Sequence, residues 1–246
     1  MRLLVSVRSA DEVEAALTGG ADIIDAKEPA RGALGAVSAT TLSEISRRVP
    51  ANRLMSVALG DLATDSELAA AFAVTEILSR PAPTFLKLGF AGIQSREVVS
   101  SLLSTAVRLA SLRRPQLQVI AVAYADTSQA RSLGPHLISS AAHAAGAAGV
   151  LIDTYIKDGR NLFQWWSPEV LATWILDARR VGLMTGVAGS LSAQDVGGLA
   201  PMLPDVLGFR GAACDTGRSG RVSARRVAFL RSQVNLSVRG ALAGSA

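Results

Sequence analysis

The sequence predicts an α/β fold, a single-domain (β/α)8 TIM barrel, and three observations carry that prediction. Short apolar runs rich in β-branched residues alternate with longer amphipathic or alanine-rich segments, the pattern of parallel strands joined by helices. Eight such units fit into 246 residues, close to the ~250 usual for this barrel. The first run is followed by VRSADE rather than a glycine-rich nucleotide loop, which disfavours the runner-up, a doubly wound open sheet.

Strands are expected at LLVSV (3–7), DIIDAK (22–27), RLMSVAL (53–59), TFLKLG (84–89), LQVIAVAY (117–124), GVLIDTY (149–155), GLMTGVAG (182–189) and PDVLGFRG (204–211). Each is followed by a helical pattern with a recognisable start. Ser9 precedes an acidic first turn, and Ser38, Thr64, Gln94, Ser167-Pro168 and Ser192 open further segments. Gly19-Gly20, Gly146 and Gly182 end helices before the next strand. No linker or low-complexity stretch interrupts the series, so the barrel is assigned to 1–235 and a flexible C-terminal tail to 236–246.

Hydrophobic residues make up 49% of the chain and charged ones 18%, which excludes a disordered protein. A single cysteine, Cys214, excludes a disulfide framework or a multi-cysteine metal site. The N-terminus turns polar too soon for a signal peptide, and no apolar run approaches the ~20 residues of a membrane helix, so a cytoplasmic, soluble protein is expected. The net charge of +5 comes from dispersed arginine pairs with acids between them, which argues against nucleic acid.

Of 25 basic residues only three are lysines: Lys27, Lys87 and Lys157. An arginine-favouring genome accounts for the scarcity but not for the survivors. All three fall at or just past the ends of even-numbered strands, on the face where these barrels carry their chemistry. Such end windows cover roughly a sixth of a barrel, so three chance placements have odds of roughly one in two hundred. Asp25 shares a strand face with Lys27, and Asp153 precedes Lys157 by four residues. Taken singly, each acid–lysine pair could be structural; together with a third strand-borne lysine they favour catalysis. Arginine neither deprotonates nor forms an imine, whereas a desolvated lysine beside another cation becomes a nucleophile toward carbonyls.

Phosphate sites in such barrels commonly use the loops after strands seven and eight. Here these read GVAGSLS (186–192) and GFRGAACDTGRSGRVS (208–223). Gly189, Ser190, Gly211 and Ala212 are the expected amide and hydroxyl donors, and Arg210, with Arg218 and Arg221, the expected charge. Ordinary turns with surface arginines are the plainer alternative. His136 and His143, seven apart on one helix, are read as structural, and no ligand cluster points to a metal or any other cofactor. Cys214 has no histidine base nearby in sequence. Trp165-Trp166 suits a helix edge or subunit contact as well as a cover for the mouth, and Asp126 a supporting role.

At these residues the chain resembles the (5-formylfuran-3-yl)methyl phosphate synthase family of methanofuran and methylofuran biosynthesis. The matching stretches are LVSVRSADEVEAALTGGADIIDAKEPARGALGA, FLKLGFAG, AVAYAD, LIDTYIKDGRNLF, GVAGSL and GFRGAAC, in order through almost the whole chain. The resemblance implies that two molecules of glyceraldehyde 3-phosphate are condensed, one through dihydroxyacetone phosphate, with loss of phosphate and water. It further implies Lys27 in DAKEP as the Schiff-base lysine and Lys87 in LKLG as the proton-transferring base. Asp25, Asp153 and Lys157 would assist as acid/base and charge-positioning groups. Glu28 and Gln164 depart from the family pattern, which has an asparagine and an acid there. The expected partner is a small phosphorylated aldehyde, with no nucleic acid and no membrane; assembly as a homo-oligomer is left open. A class I aldolase or transaldolase acting on a phosphorylated sugar, and a non-catalytic sugar-phosphate-binding barrel, are the competing readings.

Overall fold

The computed structural model describes residues 1–78 and 80–243. Eight parallel strands close into a barrel in sequential order, β1 (Arg2–Val7), β2 (Ile23–Ala26), β3 (Leu54–Asp61), β4 (Thr84–Gly89), β5 (Leu117–Tyr124), β6 (Gly149–Asp153), β7 (Met184–Val187) and β8 (Val206–Phe209), with β8 pairing back onto β1. The helices are α1 (Val13–Thr18), α2 (Ala39–Arg48), α3 (Asp65–Val74), α4 (Arg96–Arg113), α5 (Thr127–Ala130), α6 (Pro135–Ala144), α7 (Pro168–Arg180), α8 (Asp195–Leu199) and α9 (Ala224–Ala243). Every expected strand is present. Several end earlier than expected, because residues such as Lys27, Tyr155 and Arg210 already belong to the loops above the barrel.

Local chemistry explains the helix starts. Ser38 accepts the Thr41 amide, Ser167 the Val170 amide, and Thr64 forms a reciprocal cap with Glu67. The start expected at Gln94 is capped by Ser95, whose hydroxyl reaches the Val98 amide. Gly19 is required by packing: a Cβ there would lie 2.4 Å from the Cβ of Val227, where α1 meets α9. The tail expected from residue 236 is corrected up to Ala243. With no proline or turn signal after Val234, the helical hydrogen bonds of α9 simply propagate; residues 244–246 lie outside the described residues.

Two apolar layers result. One lies between strands and helices, with Trp174, Phe72 and Leu103 fully buried. The other fills the barrel interior with inward-facing Leu4, Ile23, Phe85, Ile120, Leu151 and Val206. Above this plug the inward positions turn charged. Just past β7 and on β8 they become small, at Ala188 and Gly208. The plug gives the charges a low-dielectric base, and the small residues open space beside them.

Candidate active site

The cavity above the plug has a volume of about 350 Å3, and its floor carries Asp25, Lys27, Lys87, Asp153 and Lys157. All five sequence-derived catalytic candidates therefore meet in one place. Asp25 on β2 is fully buried and pairs with Lys87 of β4, Nζ to Oδ1 at 2.7 Å. Its other oxygen accepts the hydroxyl of Ser6 at 2.7 Å, from the register position directly beside it on β1. Asp153 pairs with Lys157, Nζ to Oδ1 at 2.6 Å, and accepts the Thr154 amide. Lys157 also donates to the Thr154 hydroxyl at 3.1 Å.

Lys27 differs from the other two lysines. It follows β2, its backbone amide donates to Val7, and its side chain is 6% exposed. Among the described residues its Nζ makes no hydrogen bond or ion pair. Burial lowers its pKa to about 7; Asp153 and Asp25 oppose that shift, while Lys87 and Lys157 add to it. At neutral pH roughly half of such amines are uncharged, against about one in three thousand for an ordinary lysine. Burial pushes both aspartates up, but the neighbouring ammonium groups outweigh it and hold them below the usual carboxylate range. The floor thus holds two ionised carboxylates, each with its own lysine, and one amine able to be neutral.

Supporting residues fix this arrangement from behind. Asp126, buried after β5, accepts the amides of Tyr155 and Ile156 at 2.7 and 2.8 Å, which sets the loop that carries Lys157. Sequence reasoning missed Ser6 and Thr154, and for Thr154 there was no signal to find. The inward alternation Leu4–Ser6 on β1 would have singled out Ser6.

The rim comes from the β7 and β8 loops. Gly189 has φ +107° and Ser190 φ +53°, consecutive residues in the left-handed region. For serine this conformation is strained. Gly211 and Ala212 open a single 3-10 turn, whose first amides have no acceptor within the turn. Gly189, Ser190, Gly211 and Ala212 all line the cavity, as does Arg218.

Arg210 requires a correction. Its side chain is 3% exposed, and all five of its N–H groups meet protein oxygens. Nε donates to Arg218 O at 3.1 Å, Nη1 to Ser6 O and Glu12 Oε2, and Nη2 to Glu12 Oε1 and Gly220 O. It has no donor left for a phosphate. In sequence, an arginine in a glycine-rich loop looks the same whether it faces ligand or a distant carboxylate.

The residues set aside by sequence reasoning lie elsewhere. Trp166 packs edge-on against Trp174, and Trp165 lies under the guanidinium of Arg160, so the pair forms a helix edge. Buried Cys214 is pushed up in pKa. Glu28 and Gln164 act locally as caps, on the Ala30 and Asn161 amides. Among the described residues no cluster of histidine, cysteine and acidic side chains is placed to hold a metal, and no helix is long and apolar enough to cross a membrane.

The chain is 32% identical over 233 residues to the (5-formylfuran-3-yl)methyl phosphate synthase of Methanocaldococcus jannaschii, covering 94% of this chain and 98% of the relative. It is likewise 32% identical over 219 residues to that of Methanosarcina mazei, covering 89% and 93%. A solved 3-hexulose-6-phosphate synthase from Salmonella typhimurium shares the fold, with TM-score 0.62, 17% identity, and 95% and 100% of the two chains covered. The 4-HFC-P synthase profile matches residues 3–231, nearly the entire barrel. The chain belongs to the 4-HFC-P synthase family of enzymes.

Proposed function

We propose that the protein makes (5-formylfuran-3-yl)methyl phosphate from two molecules of glyceraldehyde 3-phosphate, through an imine on Lys27. The observation that carries this reading is the state of Lys27: buried, unpaired among the described residues, and lowered to about 7 in pKa between two lysine–aspartate pairs. Lys87 and Lys157 are held by carboxylates, so their lone pairs are less available than that of Lys27.

One glyceraldehyde 3-phosphate isomerises to dihydroxyacetone phosphate, whose ketone condenses with Lys27 and loses water. The iminium acidifies the neighbouring C–H, and the Lys87–Asp25 pair is positioned to take that proton. The resulting enamine attacks the aldehyde of the second substrate. Ring closure and elimination then release one phosphate and, by atom balance, two waters overall, and the lysine amine is regenerated. The Lys157–Asp153 pair supplies a second proton carrier across the cavity. Amides of Gly211 and Ala212, with Gly189 and Ser190 opposite, suit a phosphoryl group at the rim.

Incubation with glyceraldehyde 3-phosphate alone tests the reading. Release of inorganic phosphate together with a furan chromophore in the near ultraviolet is expected. An open-chain aldol without phosphate release would instead identify a reversible aldolase. Borohydride reduction during turnover should fix substrate carbons to the Lys27 peptide, and an unmodified Lys27 peptide would remove the imine from the mechanism.

A further inference from the structure

Two arginines meet at the β8 loop, and their donors are used differently. Arg210 is committed in full to Glu12 and three backbone carbonyls, as described above. Two of those carbonyls, of Arg218 and Gly220, belong to a strap formed by residues 211–223. The strap is closed by an isolated antiparallel bridge between Cys214 and Val222, with the Ser223 amide on Ala213 O and the Asp215 amide on Arg221 O. The Glu12–Arg210 pair thus clamps the strap from beneath.

Arg218 stands near its tip. Its Nη2 donates to Pro29 O at 3.2 Å and Gly32 O at 2.7 Å, both in the loop after β2. Its Nε–H and its Nη1 group meet no acceptor among the described residues. The side chain lines the same cavity as Lys27, Gly189 and Ser190, and its residue lies beside Gly211. A guanidinium tethered through Nη2 keeps its plane fixed, and its charge and the two Nη1 hydrogens stay free to meet a phosphate oxygen.

We propose that Arg218 is the cationic phosphate ligand of this site, held in place by the Glu12–Arg210 clamp, while Arg210 itself touches no ligand. The inference deepens the proposed function and rests on its phosphorylated substrate. Arg218 screens the dianion on binding and stabilises phosphate as it departs.

Kinetics of Arg218→Met and Arg218→Lys test it. Arg218→Met should raise KM for glyceraldehyde 3-phosphate on the order of 10- to 100-fold and weaken competitive inhibition by inorganic phosphate by a similar factor. Arg218→Lys should recover part of both, since it restores the charge but not the tethered, fixed Nη1 donors. Borohydride trapping of unphosphorylated glyceraldehyde on Lys27 should stay at the wild-type level in both variants. If KM and phosphate inhibition stay within twofold of wild type, Arg218 is not a ligand. Equal loss with the unphosphorylated aldehyde would also overturn the proposal, because it would reduce Arg218 to a brace for the β2 loop. Failure of the wild type to form a furan would refute the proposed reaction alone, because direct calorimetric titration of wild type and Arg218→Met with inorganic phosphate needs no turnover and would still decide the role of Arg218: unchanged phosphate affinity in the variant would overturn it.

Discussion

The floor and the rim of the mouth are both held by buried ion pairs, and they differ in the cation used. The floor pairs lysine with aspartate, once across the barrel mouth from β2 to β4 and once between the end of β6 and the loop that follows it. The rim pairs arginine with glutamate, joining loops 198 residues apart in sequence. Lysine can give up its proton and arginine cannot. The floor can therefore move protons, whereas the rim can only hold shape and charge. Arg80 shows the rim's use of arginine in plainer form: its two terminal nitrogens collect the carbonyls of Ser46, Val49, Pro50 and Arg53 around the end of α2.

Substitutions should separate the two regions. The largest effect is expected from Lys27→Ala, which should lower turnover by on the order of 10⁴-fold or more while leaving the fold intact, as read by initial rates and circular dichroism. A variant retaining a tenth of wild-type rate would place the nucleophile elsewhere. Next come the buried pairs themselves. Asp25→Asn leaves the Lys87 ammonium buried without its counter-charge, and Glu12→Gln does the same to Arg210; each should cost about 3–5 kcal/mol in urea unfolding. The contrast lies in the pH profile, which Asp25→Asn should move and Glu12→Gln should not.

The pH dependence sharpens that contrast. Trapping at Lys27 should rise with pH through about 7 as the amine loses its proton. Lys87→Met removes a like charge and should shift this limb to higher pH; Asp153→Asn removes an opposite charge and should shift it lower. Stability follows the same titration. The folded-state pKa of about 7 lies below the 10.5 of an ordinary lysine, so between these limits the unfolded chain binds more protons. Wild type should therefore gain stability relative to Lys27→Met as pH rises across that interval. No relative gain in chemical denaturation would contradict a buried, depressed amine. The smallest effect is expected from Ser6→Ala, which removes one hydrogen bond to Asp25 and should cost about 0.5–1.5 kcal/mol with a modest fall in rate.

The floor was legible in the sequence because lysine was scarce and strand periodicity gave each one an address. The eight strands were legible for a related reason: a strand buried on both faces needs an unbroken apolar run, and such runs stand out between helices. The rim was legible only as a place. The glycine-rich loops after β7 and β8 announced a tight backbone, but which arginine faced inward depended on Glu12. That residue reads in sequence as an ordinary first-turn acid of a helix. Its partner sits at the opposite end of the chain, and no local pattern reports a contact across that distance. Ser6 was hidden for a smaller reason, since one polar residue in an apolar strand is noticed only once inward and outward positions are counted.

The Glu12–Arg210 contact also has a consequence for the order in which the site comes into being. During synthesis all three lysines have been made once residue 157 is in place, yet the clamp waits for residue 210, and the strap it grips for residue 223. A ribosome-bound chain can hold all three lysines well before it holds the carbonyl-lined collar that shapes the mouth. Because one end of the clamp comes from the first βα unit and the other from the last, closing the barrel and completing the mouth are a single late event in the life of each new chain.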